Sequence, residues 1–296
     1  MIFRRLDRLL SIYLFHYLAE LKSSNEQIPI LMYHSISGGN QNYVHPYFKT
    51  NTDPDVFFKQ MSYLKQNDYQ AISIDAALKS MHSAKPPVNK YVVITFDDGY
   101  QDNLTNALPI LKEFNFTATV YLPTNFISEE GCLFNNNRCL TWQEVHELQA
   151  NNIEIGSHTV THPKLVSLTP REVAIELTHS KAVIEDKLGN PCNSFSYPYA
   201  FPEGNRQFAG LLRNILLKSG YHNCVSTIVG TMEKNADPYF IKRIPVNSDD
   251  DEQFFKAKLE GAYNWIHMPQ VFFKYAKNIF GYLTQLSQER DNYNIL

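Results

Sequence analysis

Two short motifs carry side chains that could bind a metal ion and hydrolyse a bond. Asp97 and Asp98 follow the apolar run 91–94, and His158 and His162 follow a second run that begins at residue 153. Each set therefore stands where a buried strand should leave the core. Histidines at i and i+4 share one face of a helical turn, so we expect both imidazoles to reach one ion.

A third ligand would make this a catalytic rather than a structural metal site, provided that a fourth position stays open. Asp98 is the candidate ligand, and Asp97 could then accept a proton from a bound water whose pKa the metal lowers towards ~7. Neighbouring acids at a strand end point in different directions, which suits two roles. The alternative is an N-capped turn after the first strand, with two loop histidines bonded to backbone.

The two motifs and a third block resemble those of one enzyme family. Thr-Phe-Asp-Asp-Gly at 95–99 and Ser-His-Thr-x-x-His at 157–162 resemble the NodB-like polysaccharide deacetylases (carbohydrate esterase family 4), metal-dependent enzymes that remove acetyl groups from amino sugars. Phe-Ser-Tyr-Pro-Tyr at 195–199 is similar to the form in members that act on bacterial exopolysaccharides. The resemblance covers most of the chain, from about residue 28 to about 265, and implies an irregular (β/α)7 barrel.

The resemblance also implies how the remaining catalytic roles are filled. The backbone N–H of Tyr199 would stabilise the oxyanion together with the metal. Many members carry their general acid as a histidine at the end of the last strand, but the similar segment here, 28–34, lies at the start. First and last strands are neighbours in a closed barrel, so we expect His34 to protonate the leaving amine. The alternatives are a plain proline turn at 197–199 and a histidine that caps a buried strand.

The chain departs from the family pattern at the third block. Many relatives have an arginine that holds the base aspartate where this chain has Ser196, and a glycine where it has Ala200. Arg243 is our candidate for the missing cation, although an ordinary surface or salt-bridging arginine fits the sequence too. The motif positions further imply three substrate-binding residues: Tyr100, Tyr197 and Pro198.

The predicted function is hydrolysis of N-acetyl groups on amino sugars. The substrate would be a cell-envelope polysaccharide, an exopolysaccharide or a lipid-linked precursor (a glycan or glycolipid). Zinc fits the ligand set, while cobalt, nickel and iron are not excluded by affinity order. The alternatives are an O-acetyl esterase, a deacylase of a small N-acylated sugar, and a non-catalytic carbohydrate-binding relative.

The composition of the chain indicates a globular enzyme rather than a nucleic-acid-binding protein. The 296 residues carry a net charge of −3 with no long basic run, which argues against nucleic acid as a partner. A hydrophobic content of 44% suits a globular α/β enzyme. Cys132 and Cys139 could pair in an oxidising compartment, and the alternative is that all four cysteines are free thiols.

Apolar runs alternate with helical patterns along the chain. Because such runs indicate parallel strands covered by helices, seven of them predict a barrel with its ligands at the carboxyl ends of the strands. The predicted strands are 28–33, 91–96, 116–122, 153–156, 193–197, 222–226 and 240–246, and the predicted helices are 54–67, 102–114, 141–151, 170–188 and 206–219.

Both ends of the chain read as amphipathic helices, residues 1–25 and 267–296, around a catalytic domain at 26–266. They could pack on each other or on the domain, or rest on a membrane surface. The apolar stretch 9–19 is shorter than the ~20 residues of a spanning helix and lacks a clear cleavage site. We therefore favour a cytoplasmic or inner-membrane peripheral protein over a secreted one. The apolar positions are Leu6, Leu9, Leu10, Tyr13, Leu14, Tyr17 and Leu18, and Phe272, Phe273, Ala276, Ile279, Phe280, Leu283 and Leu286.

Overall fold

A closed barrel of seven parallel strands forms the centre of the protein. The computed structural model describes residues 5–17, 27–38, 45–83 and 87–269. Strand pairing runs β1–β7–β6–β5–β4–β3–β2 and returns from β2 to β1, so the predicted (β/α)7 barrel is confirmed. The barrel strands are β1 Ile30–Tyr33, β2 Lys90–Phe96, β3 Thr119–Leu122, β4 Glu154–Ser157, β5 Ser194–Ser196, β6 Asn223–Val229 and β7 Ile241–Pro245.

The register between β1 and β2 places two candidate site residues, His34 and Asp97, at the same height along the barrel axis. Tyr33 pairs with Phe96, and the Asp97 N–H donates to the Tyr33 carbonyl at 3.0 Å. β2 is buried from Val92 onwards, as expected for a parallel strand covered on both faces. His34 and Asp97 therefore emerge side by side at the carboxyl end of the barrel.

Helices surround the barrel, and several begin and end at the residues that the sequence indicates. Thr169 and Glu172 form a capping box, and the helix that follows ends at Gly189, which adopts the left-handed conformation at φ 68°. The helices are α1 Pro54–Gln66, α2 Ile74–Met81, α3 Leu108–Phe114, α4 Trp142–Ala150, α5 Pro170–Leu188, α6 Arg206–Lys218 and α7 Glu252–Leu259.

Some local structure differs from the prediction. The helix expected at 102–114 is divided: Asn103–Ala107 is π-helical and α3 follows, with Pro109 near its start. Proline has no N–H to donate, which accounts for the irregular turn before it. Helices α2 and α7, of 8 residues each, and the strand Tyr69–Ala71 beside β2 were not predicted, because elements this short carry little periodic signal.

Short strands and 3-10 turns lie in the connections between the barrel strands and the helices. Short strand pairs connect Gln27–Ile28 with Met232–Glu233, Ser35–Ile36 with Asn51–Thr52, and Leu133–Phe134 with Asn137–Arg138. Single 3-10 turns lie at Pro46–Phe48, Thr124–Phe126, Leu165–Ser167 and Asn264–Ile266.

The N-terminal helix, Leu6–Leu10 followed by a π turn at Ser11–Phe15, lies on the outside of the barrel. Trp265 Nε1 donates to Ser11 Oγ at 2.9 Å, and the Trp265 ring stacks on Phe15 at 5.0 Å. Leu18 and all of the predicted C-terminal helix after residue 269 lie outside the described residues. Within the described ranges, no helix combines the length and hydropathy needed to cross a bilayer.

Candidate active site

Three ligand-type side chains converge at the carboxyl ends of β2 and β4. His158 Nε2 and His162 Nε2 lie 3.1 Å apart. Asp98 Oδ1 lies 3.6 Å from the first of these nitrogens and 3.3 Å from the second. The fold thus brings together Asp98, His158 and His162 as a potential metal-binding group.

The two histidines do not reach each other across a helical turn, so that expectation was wrong. Residues 158–163 are irregular, with Thr159 at φ 73° and His162 at φ 55°. The His162 N–H donates to Thr159 Oγ1 at 2.9 Å, which closes a tight turn instead of a helix. A hydroxyl that bonds nearby backbone offers the chain this alternative to a helix.

The protonation of both histidines fits a metal ligand. A carbonyl only accepts, so His158 Nδ1–H must be the donor of its 2.8 Å hydrogen bond to the Ser196 oxygen, which leaves Nε2 with a free lone pair. Burial lowers the pKa of His158 and of His162 to about 4, so both are neutral near pH 7. Asp98 Oδ1 is buried and accepts no hydrogen bond from any described residue. Two imidazole nitrogens and one carboxylate oxygen suit a divalent cation such as zinc.

Asp97 is paired with the arginine that the sequence offered as a candidate. Arg243 Nη1 lies 2.8 Å from Asp97 Oδ1, and Arg243 Nη2 lies 2.7 Å from Asp97 Oδ2. Ser196 Oγ donates to Asp97 Oδ1 at 3.1 Å and accepts from Arg243 Nη2 at 3.0 Å. Burial by itself would raise the pKa of Asp97, but the Arg243 guanidinium outweighs it and holds that pKa well below its usual range. The carboxylate therefore stays ionised.

Arg243 is fixed from three strands. It is 0% exposed on β7, its Nε donates to the Ser226 carbonyl of β6 at 3.0 Å, and its Nη1 donates to Thr95 Oγ1 of β2 at 3.2 Å. Sequence reasoning missed the hydrogen bonds that Thr95, Ser196 and the Ser226 carbonyl make to this ion pair. A hydroxyl within an otherwise apolar run is a signal for Thr95 only, since β5 has two serines among its three residues and Ser226 acts through its backbone.

His34 follows β1 and lies next to the aspartate pair. Its side chain is half-buried. It lies near enough to Asp97 and His162 that a positive charge on it would lower the pKa of each, although burial and the charges of other neighbours have larger effects. The first strand thus delivers a histidine to the same site as β2 and β4.

Tyr199 reaches the site from the loop after β5. Its ring packs on His162 at 4.8 Å between centroids, and its carbonyl accepts from Thr227 Oγ1 at 2.8 Å. Among the residues described, no group accepts a hydrogen bond from the Tyr199 amide. That N–H is therefore available to a ligand.

The three predicted substrate-binding side chains lie behind the site. Tyr197 is buried between Phe201 and Phe208, with ring centroids 4.9 and 6.2 Å away. Pro198 is also buried. Tyr100 is buried too, and burial followed by the nearby Asp98 charge raises the pKa of its hydroxyl well above the usual value. The structure does not bring these side chains to a surface that a glycan could touch.

Backbone strain concentrates at the site. Asp98, Thr159, His162 and Tyr199 have positive φ angles, between 55° and 73°. All other non-glycine residues with positive φ in the described part of the chain are Asn or Asp. Positive φ is most unusual for a β-branched residue such as Thr159. Such conformations persist where surrounding structure imposes them, which occurs most often at functional sites.

A hairpin that sequence reasoning did not single out packs against one member of the potential metal-binding group. Phe134 of the pair Leu133–Phe134 and Asn137–Arg138 packs its ring 5.0 Å from that of His162. Cys132 and Cys139 flank this hairpin, and both are free thiols, as are the other two cysteines.

Comparison with known proteins agrees with this fold and site. The sequence profile described as polysaccharide deacetylase matches residues 84–222. YxkH of Bacillus subtilis (strain 168), classed among the polysaccharide deacetylases, is 31% identical over 235 residues, or 79% of this chain and 76% of the relative. A poly-beta-1,6-N-acetyl-D-glucosamine N-deacetylase of Staphylococcus aureus (strain N315) is 23% identical over 209 residues, or 68% and 69% of the two chains.

A solved structure supports the same architecture. The Streptococcus pyogenes deacetylase PplD, in complex with acetate, superposes with a TM-score of 0.68 at 24% identity over 79% of this chain and 98% of its own. At this identity the likeness establishes the fold only. The barrel and the polar side chains at its mouth define a (β/α)7-barrel protein with a potential metal centre. The extent of the match to YxkH shows that the chain belongs to the polysaccharide deacetylase family, which confirms the enzyme class predicted from the motifs.

Proposed function

We propose that this enzyme hydrolyses N-acetyl groups on amino sugars of an exopolysaccharide-type glycan or its lipid-linked precursor and releases acetate. The observation that carries the proposal is the position of Asp97, which is ionised, held by Arg243 and directly adjacent in the chain to Asp98 of the group Asp98, His158 and His162. The Staphylococcus aureus relative, named for poly-N-acetylglucosamine, supports this class of substrate.

Each polar group has a proposed role in the reaction. A divalent cation held by Asp98, His158 and His162 would act as a Lewis acid on the acetyl carbonyl and make water acidic enough for a weak base to deprotonate. Asp97 accepts that proton on a carboxylate oxygen that Arg243 holds in place. The water oxygen bonds to the acetyl carbon, and the Tyr199 N–H donates to the resulting oxyanion. His34 gives its proton to the sugar nitrogen as the C–N bond breaks.

Acetate release tests the reaction. With an N-acetylated glucosamine oligosaccharide, Asp97→Asn should reduce kcat by roughly 10²–10⁴-fold, since it removes the proton acceptor while keeping the shape. Asp55→Asn, an exposed acid in α1, is the matched control and should retain full activity. Faster acetate release from an O-acetylated glycan would favour the esterase alternative. Binding without turnover by the wild type would favour the non-catalytic alternative.

We also propose that the enzyme works at the surface of a membrane, with the N-terminal helix in contact with lipid. One side of the helix is fixed to the rest of the protein, where Arg8 pairs with Asp251, Ser11 binds Trp265 and the Phe15 ring stacks on Trp265. Its other side presents an apolar stripe to solvent, an arrangement that suits a helix lying in a lipid interface. The stripe consists of Leu6, Leu9, Leu10, Tyr13, Leu14 and Tyr17, with exposures from 38% to 68%.

A further inference from the structure

Three polar side chains of the short segment 102–106 hold the backbone at and immediately after His34. Asn103 Nδ2 donates to the His34 carbonyl at 2.8 Å. Asp102 Oδ1 accepts from the Ile36 N–H at 3.0 Å, and Asp102 Oδ2 accepts from Ser35 Oγ at 2.6 Å. Asn106 Nδ2 donates to the Ile36 carbonyl at 2.7 Å. All the main-chain groups that these side chains bind lie within residues 34–36.

The π-helical turn Asn103–Ala107 makes this arrangement possible. Two of the three side chains come from this turn, and Asp102 lies directly before it. Single π turns in proteins occur frequently at functional sites, because the widened turn redirects side chains. Asn103 is 2% exposed and Ser35 is 3% exposed, so these hydrogen bonds form away from competing water.

Asp97, directly after β2, holds the backbone before His34. The Asp97 N–H donates to the Tyr33 carbonyl at 3.0 Å, while Asn103 binds the carbonyl of His34 itself. Residues 97–106 therefore include the proposed base, Asp97, one proposed metal ligand, Asp98, and the three side chains that bind the backbone of residues 34–36. Movement of the His34 backbone relative to Asp97 would require one of these hydrogen bonds to break.

We infer that Asp102, Asn103 and Asn106 are positioning residues that fix His34 at the distance and angle required to protonate the leaving group. This inference rests on the proposed function, in which His34 is the general acid. A displacement of about 1 Å in a catalytic group can reduce rate by about 10²-fold, so backbone hydrogen bonds around the acid can affect turnover without touching substrate.

The leaving group separates positioning of the acid from a purely structural role. An amine leaves only when it is protonated, whereas 4-nitrophenolate leaves an acetyl ester without a proton. In the holoenzyme, Asn103→Ala and Asn106→Ala should each reduce kcat on the N-acetyl glycan by roughly ten- to a hundredfold. Hydrolysis of 4-nitrophenyl acetate should change by less than about threefold, because that step does not use the acid.

A second measurement does not depend on turnover. Hydrogen exchange at the Ile36 amide should accelerate in Asp102→Ala, which removes its acceptor, while exchange in β2 stays unchanged. Asn67→Ala is the matched control, since the Asn67 Nδ2 donates at 2.9 Å to the Tyr63 carbonyl at the end of α1. This variant should leave both the amide and the ester rates at wild-type values. Asn106→Ala carries the test if the more buried Asn103 variant does not fold.

Two results would overturn the inference in different ways. Equal losses on amide and ester substrates in Asn103→Ala and Asn106→Ala would mean a structural role, and the proposed function would stand. If His34→Ala itself lowers both rates equally, then His34 is not the acid, and the proposed role of His34 fails together with the inference. A selective loss on the amide in His34→Ala and in both asparagine variants supports both.

Discussion

Arg243 and Asp97 form a two-pronged ion pair in the interior of the barrel, with N–O distances of 2.8 and 2.7 Å. The pair lies 146 residues apart in sequence and joins β7 to the end of β2. The arginine side chain is fully buried and the aspartate nearly so. Because neither charge can reach water, either charge would destabilise the folded protein if the other were removed.

Removal of the arginine should therefore destabilise the protein. We expect Arg243→Met to lower the free energy of unfolding by ~3–5 kcal/mol, since it leaves the Asp97 carboxylate buried without a counter-charge. The double variant Asp97→Asn/Arg243→Met should lose less than the single variant. Urea denaturation of the three proteins measures both effects, and a single variant as stable as the wild type would contradict the account.

Metal binding should depend on all three converging side chains. His158→Ala and His162→Ala should each weaken binding of Zn²⁺, as measured by competition with a chromophoric chelator. Free Zn²⁺ at 100 times its Kd should raise the free energy of unfolding of the wild type by about 2.7 kcal/mol. Activity of chelator-treated enzyme, restored separately with Zn²⁺, Co²⁺, Ni²⁺ or Fe²⁺, then identifies the working ion. Unchanged Zn²⁺ affinity in both variants would exclude this group as the centre.

Tyr199 should act through its backbone rather than its ring. Tyr199→Gly keeps the N–H and readily adopts the observed φ of 57°, so kcat should stay within a few-fold of the wild type. KM should rise, because the exposed ring packed on His162 is lost. A fall in kcat of more than about 10²-fold, the loss expected for an oxyanion donor, would show that the ring itself is needed.

The cysteines should differ in reactivity with an aromatic disulfide reagent at pH 8. Burial raises the pKa of Cys139 and of Cys192 to about 12, and Cys224 is also buried with a raised pKa. Since the thiolate is the reactive form, these three should react only when the protein unfolds. Cys132, which is half-buried, should be labelled first. Mass spectrometry of native and urea-treated protein checks the order.

The exposed stripe of the N-terminal helix should bind vesicles. Wild-type protein should float with vesicles of mixed zwitterionic and anionic lipid, and Leu9→Glu/Leu14→Glu should reduce the floating fraction several-fold by placing charge on the apolar face. Val88→Glu, at an exposed apolar position outside the stripe, is the matched control. Self-association of the wild type without lipid binding would indicate that a second copy, not a membrane, covers the stripe.

The sequence by itself determined the family and the barrel, and it predicted the three side chains that the structure brings together, Asp98, His158 and His162. Asp97, Asp98, His158 and His162 lie within short motifs that follow apolar strands, and parallel strands necessarily present their carboxyl ends at one face. Local signals were sufficient here because each of these residues lies within a few positions of the strand that precedes it.

Only the tertiary structure decided how the Asp97 carboxylate and the His34 backbone are held. Arg243 reaches Asp97, and Asn103 reaches the His34 carbonyl, across 146 and 69 residues of chain. No periodicity or local motif encodes such contacts, since they depend on which strands become neighbours when the barrel closes. The irregular turn between His158 and His162 was also outside the reach of spacing rules, because the Thr159 hydroxyl, and not helical repeat, sets its shape.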